Sequence, residues 1–155
     1  MAASKDRLKQ ELVVALKAHD EARKSTVRMA LAAIANEEVA GKVARELSDA
    51  EEQAVLARQV SKRKDSAEAY TAGNRPELAD KELAEAAILA EFLPQQLTEA
   101  ELAAIVSEEV AAVAAALGAA PTIRQMGQVM KGVTPRITGR GDGKTAAALV
   151  KAALS

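Results

Sequence analysis

Along nearly the whole of this chain, apolar residues return at intervals of three and four, and nowhere do they alternate with polar ones. That spacing follows the 3.6-residue turn of an α-helix, whereas a half-buried strand needs a period of two. The pattern therefore predicts an all-α protein. Alanine in large number, together with Leu, Glu, Lys and Arg, adds local preference to the same choice.

Caps and breakers divide the pattern into seven segments. A first helix is predicted from about Lys5 to Lys17, with Ser4 as its cap and Leu8, Leu12 and Leu16 on one stripe. Asp20 is placed to cap a second, which carries Val27, Leu31 and Ile34 and ends near Gly41. Ser48 and Glu51 have the spacing of a capping box, in which each side chain satisfies the other residue's free backbone N–H. They open a long third helix that stops at Gly73, a residue suited to a left-handed position past a helix end. Pro76 suits the first turn of a fourth helix, carrying Leu78, Ile88, Leu89 and Phe92, and Pro94 disfavours helix at the residue before it. The stretch LPQQLT at 93–98 is the clearest boundary, giving an N-terminal four-helix domain over 1–94 and a three-helix domain over 95–155. In the latter, Thr98 and Glu101 form a second capping box, and Leu102, Ile105, Val106, Val113 and Leu117 face inward before Gly118. Thr122 caps a sixth helix with the stripe Ile123, Met126, Met130 and Val133. After a glycine-rich turn at 139–143, Asp142 caps a seventh with Ala146, Leu149, Val150, Ala153 and Leu154 inward.

The chain of 155 residues suits one domain or two small ones and can bury a core without covalent staples. It has no cysteine, which excludes disulfides, thiolate nucleophiles and Cys-ligated zinc and fits a reducing, cytoplasmic setting. The first residues lack a signal-peptide core, and no apolar run approaches the ~20 residues of a membrane span. His19 is the one histidine and falls in a polar stretch, so neither a Ser–His–Asp triad nor a histidine metal site is expected. Gly143-Lys144-Thr145 resembles the end of a phosphate-binding P-loop, but the required earlier glycine is Thr138 and no strand precedes it. The glycines at 139 and 141 do not make a dinucleotide fingerprint, because Lys144 stands at its last glycine. Arg140-Gly141-Asp142 spells an adhesion tripeptide without any sign of secretion. The acid pairs Glu37/Glu38, Glu51/Glu52 and Glu82/Glu85 lie on helices among bases and read as ion pairs or solvated faces. A basic stretch of Arg58, Lys62, Arg63 and Lys64 reads as a mixed solvated face, and the methionines of the sixth helix as core. The expectation is a monomer with no catalytic residues, no metal and no cofactor.

One feature points to a partner. The net charge is −1, yet residues 120–155 hold the bases Arg124, Lys131, Arg136, Arg140, Lys144 and Lys151 against the single acid Asp142. Such a local excess suits a polyanion. The glycine-rich turn leads into a helix N-terminus, where free N–H groups and the macrodipole favour anions. Asp142 competes for those same groups. The candidate RNA-binding residues are Arg124, Lys131, Arg136, Arg140, Gly141 and Lys144. With Tyr70 and Phe92 the only aromatics, base stacking has no platform, so recognition would go by shape and backbone.

The segments RMALAAIANE (28–37), RKDS (63–66), FLPQQL (92–97), MGQVMK (126–131) and GRGDGK (139–144), in that order, closely resemble the GatB/YqeY family. The resemblance spans essentially the whole chain and is to the small stand-alone YqeY-like proteins. It implies an N-terminal helical domain followed by a three-helix GatB/YqeY-type bundle. The C-terminal part resembles the tail of the B subunit of the glutamine-dependent aminoacyl-tRNA amidotransferase, the matching stretches being 126–131, 139–144 and Leu149-Val150. In that enzyme the tail implies tRNA contact, while activation and amide transfer occur in other domains and another subunit. The resemblance thus implies a tRNA-associated accessory protein whose partners are tRNA and an amidotransferase or aminoacyl-tRNA synthetase. A protein-interaction adaptor without RNA contact is the alternative. A family label of carbon–nitrogen ligase with glutamine as amido-N-donor is a third reading, for which this chain has no cradle domain and no glutaminase.

Overall fold

A computed structural model describes residues 4–155 of the chain. Among them are α1 (Ser4–Lys17), α2 (Glu21–Glu38), α3 (Asp49–Ala72), α4 (Pro76–Ala90), α5 (Glu99–Leu117), α6 (Met126–Ile137) and α7 (Gly143–Ala153), with a 3-10 turn over Ile123–Gln125. No strand occurs among the described residues. The chain divides into two compact units, Met1–Pro94 and Gln95–Ser155.

In the first unit α3 and α4 pair as an antiparallel hairpin, and α2 packs against α1, α3 and α4. Its core gathers Leu8, Val27, Ile34, Leu56, Leu89 and Phe92 from all four helices and the segment after α4. The capping box of α3 is formed in both directions: Glu51 Oε2 accepts from the Ser48 N–H at 2.8 Å, and Ser48 Oγ from the Glu51 N–H at 3.3 Å. Asp20 caps α2, accepting from the Arg23 N–H at 3.0 Å. Ser4 does not act as the cap expected for α1. It is the first helical residue, buried, and both its N–H and its hydroxyl donate to Asp49 Oδ1, at 2.9 and 3.0 Å. The Lys5 N–H donates to the buried Glu52 at 2.8 Å. The first turn of α3 thus supplies the acceptors that the free N–H groups of α1 need, and its carboxylates meet the positive end of that helix.

Other departures have local causes. Leu16 is 42% exposed because a strict step of four drifts 40° per step around a helix, and α1 returns to its core through Ala15. α2 ends at Glu38, before Gly41. Gly73 keeps φ −82, and its neighbour Asn74 takes the left-handed position at φ 58, which asparagine tolerates better than most residues. The larger correction is Arg63. Three of the four bases in that stretch are exposed, but Arg63 is 7% exposed. It sits on the line Leu56, Val60, Arg63, Ala67 that α3 turns inward, and its Nη1 meets Glu85 at 2.5 Å and Glu82 at 3.5 Å.

In the second unit α5, α6 and α7 each touch the other two. Leu102, Ile105, Val106, Val129, Val133, Ile137 and Val150 fill the centre. Thr98 and Glu101 close their capping box at 2.8 and 3.1 Å, and Gly118 ends α5 in the left-handed region at φ 69. Leu117, in the last turn of α5, is 45% exposed, and the buried set of that helix ends at Val113. The sixth segment begins as a 3-10 turn, in which the Gln125 side-chain oxygen accepts from the Thr122 N–H at 2.8 Å. This tighter winding leaves Ile123 49% exposed, so the inner stripe starts at Met126. In α7 the inner line is Ala146, Val150, Leu154, and Ala153 lies outside it.

Candidate nucleic-acid interface

The segment before α5 and the glycine-rich turn between α6 and α7 meet one another. The Leu97 N–H donates to the Arg140 carbonyl at 2.7 Å, Gln96 Nε2 to the Gly139 carbonyl at 3.0 Å, and Arg140 Nε to the Gln95 carbonyl at 3.4 Å. The loop closes on α6 as well, because the N–H groups of Arg140 and Gly141 both donate to the Ile137 carbonyl at 2.8 Å. Gly139 makes the turn possible at φ 75. A side chain on Gly141 would point at Leu97, Ile137 and Leu102, so this residue faces the apolar interior. At the start of α7, the Asp142 carboxylate accepts from the Thr145 N–H at 3.1 Å and from its hydroxyl at 2.7 Å. The glycine turn is therefore a junction that ties the segment before α5 to the α6–α7 corner. The phosphate cradle expected there finds one of its N–H groups already taken by the protein's own carboxylate.

The candidate cations fall into two groups. Arg124 in the 3-10 turn, Lys131 on α6 and Lys144 on α7 are exposed. Lys131 is two residues from each of the fully buried Val129 and Val133, a rotation of about 200° that points it away from the core. Lys144 stands likewise two residues before the fully buried Ala146. Lys151, which the sequence reading counted as a base but left out of the site, is also exposed. It lies seven residues on from Lys144, two turns and about 10 Å along the same outer stripe of α7. Heptad spacing alone would have found it.

Arg136 and Arg140 are engaged within the unit. Arg136 Nη2 meets Glu108 at 2.6 Å and Nη1 meets Glu109 at 2.9 Å, both on α5. Hydrogen bonds to Glu108 first and Glu109 second raise its pKa above the ordinary arginine value. Arg140 leans on Gln95, and its charge adds to the Thr98 backbone and hydroxyl bonds that hold the Glu101 carboxyl below its usual range. Of the six candidates, then, three project into solvent, two are committed to internal partners, and Gly141 faces inward.

Outside this unit, a groove of about 270 Å³ runs between α2 and α4, lined by Glu21, Lys81, Glu85 and small or apolar residues. Glu85, its least exposed acid, is already bound by Arg63. His19 is exposed. Among the described residues no group of His, Cys, Asp and Glu could hold a metal ion, and no helix is long and apolar enough to cross a membrane.

Residues 5–154 match the family model described as Yqey-like protein. No curated protein matches the chain.

Proposed function

The chain belongs to the Yqey-like protein family, and from that premise we propose that it is a tRNA-associated accessory protein that holds nucleic acid through its C-terminal unit. The observation that carries the proposal is the outward placement of Arg124, Lys131, Lys144 and Lys151 on a unit whose core takes no charge. Lysines on helices are point charges suited to a phosphate backbone, and such contacts position the nucleic acid without reading its sequence. The absence of exposed aromatic side chains on α5–α7 agrees with recognition by shape.

Filter binding with total tRNA tests it. Retention at about 50 mM salt should fall steeply toward 200 mM, as counterion release requires. Replacing Lys131, Lys144 and Lys151 together by alanine should weaken binding uniformly across tRNAs and lower the salt slope by about 3, one for each phosphate contact. No retention at low salt, or a triple variant that binds like the wild type, rejects the reading.

One observation favours the adaptor reading as second choice. Val13, Val14 and Leu16 of α1 are 49%, 56% and 42% exposed, an apolar face of the kind that protein contacts cover. Partners that survive nuclease treatment in a pull-down would favour it, and partners lost on that treatment would favour RNA.

A further inference from the structure

Resting on the RNA reading, we infer that Arg136 serves nucleic-acid binding without touching the nucleic acid: it offsets one of the two negative charges of Glu108 and Glu109, which would otherwise repel more strongly a phosphate held by Lys131, the neighbour of Gly132 on α6. α5 holds four acids and no base. Two of them, Glu108 and Glu109, lie against α6, and the one cation that meets them there among the described residues is Arg136. Its two terminal nitrogens are divided between the two carboxylates, one to each, so turning either toward a phosphate would release an acid.

Gly132 lets this arrangement come close. A Cβ at that position would overlap the Glu109 carboxylate, so the acid lies directly on the backbone of α6. Gly132 is the residue after Lys131, and their Cα atoms are about 3.8 Å apart across the peptide. The Glu109 carboxylate therefore lies within roughly 10 Å of the Lys131 Cα, the range over which exposed charges act at 0.1 M salt. Whatever phosphate Lys131 holds also feels Glu109, and the strength of that repulsion depends on whether Arg136 is present.

The three side chains carry a net charge of −1 in the wild type. Arg136→Ala and Arg136→Gln lower it to −2, Arg136→Ala with Glu108→Gln and Glu109→Gln brings it to zero, and Glu108→Gln with Glu109→Gln alone raises it to +1. Affinity for total tRNA at about 50 mM salt should follow that order, changing by up to about twofold per unit charge at ~10 Å, the unscreened limit in water. The deciding comparison is the triple variant, which lacks Arg136 yet should bind at least as well as the wild type. A direct phosphate contact would instead leave every variant without Arg136 below the wild type, and that result overturns the inference, as does a series with no trend. The alanine and glutamine variants carry the same charge, so a difference between them would mark a packing defect in place of an electrostatic one and would also count against it. A wild type that does not bind tRNA removes the RNA reading and this inference together. A wild type that binds, with the triple variant below it, removes the inference alone.

Discussion

The two units solve the same packing problem with opposite treatment of charge. In Met1–Pro94 the buried set includes Ser4, Thr26, Glu52 and Arg63, whereas every buried residue among those described in Gln95–Ser155 is apolar. The first unit spends charge on its own architecture, with Asp49 and Glu52 closing the start of α1 and Arg63 fastening α3 to α4. The second keeps charge on its surface, where Arg124, Lys131, Lys144 and Lys151 are exposed. A buried ion pair is costly to break but adds little net stability over apolar packing. Surface cations add little to stability and remain available to a partner.

The largest effect should come from breaking the internal pair. Arg63→Ala leaves Glu85 and Glu82 without their cation in a site where Arg63 is buried, at a cost of about 3–5 kcal/mol. Tyr70, the chain's one tyrosine, lies on α3, so its fluorescence follows the first unit during urea unfolding. Its midpoint should drop sharply while the helical signal of the second unit holds. Replacing Arg63 by Met and Glu85 by Leu together should recover most of the loss, because no orphan charge at Glu85 remains. A single mutant as stable as the wild type would break the contrast between the units. The matching change in the second unit is apolar. Ile137→Ala, at a site 3% exposed, should cost about 2–5 kcal/mol and lower the midpoint of that unit without moving the tyrosine signal.

What could be read in advance was local. The caps Asp20, Ser48 with Glu51, Thr98 with Glu101, and Asp142 each act within three residues, so the sequence contains both partners side by side. Gly118 in its left-handed position is legible for the same reason. What escaped was set at a distance. The side-chain type of Arg63 suggests a surface group, although its place between Val60 and Ala67 puts it on the buried line, with two carboxylates three apart facing it from α4. The excess of bases in the last third can be counted, but whether Arg136 is engaged depends on Glu108 and Glu109, 28 and 27 residues away from it. The tie between Gln96 and Gly139 spans 43 residues, and nothing in either motif announces the other.

The smallest predicted effect comes from a motif the units share, the hydroxyl–glutamate capping box. Both capping boxes hold a glutamate below its ordinary pKa, for different reasons. At Glu51 the main cause is Arg45, whose guanidinium meets both carboxylate oxygens at 3.0 and 2.7 Å, and the Ser48 bonds come second. At Glu101 the Thr98 backbone comes first and the distant Arg140 last. Glu51 is lowered from 4.5 to about 2. Since the folded value is the lower one, its contribution is complete above pH 4.5 and is lost as pH falls through 4.5 toward 2, where the unfolded form takes up a proton that the folded form does not. An NMR titration of the glutamate carboxyls should therefore show Glu51 titrating at the acid end of the range. Arg45→Ala should move Glu51 up, leaving only its serine bonds, while Glu101 stays where it is. Both glutamates moving together would mean that the two boxes are not set by their own neighbours. An unmoved Glu51 would transfer the whole effect to Ser48 and make the two boxes alike.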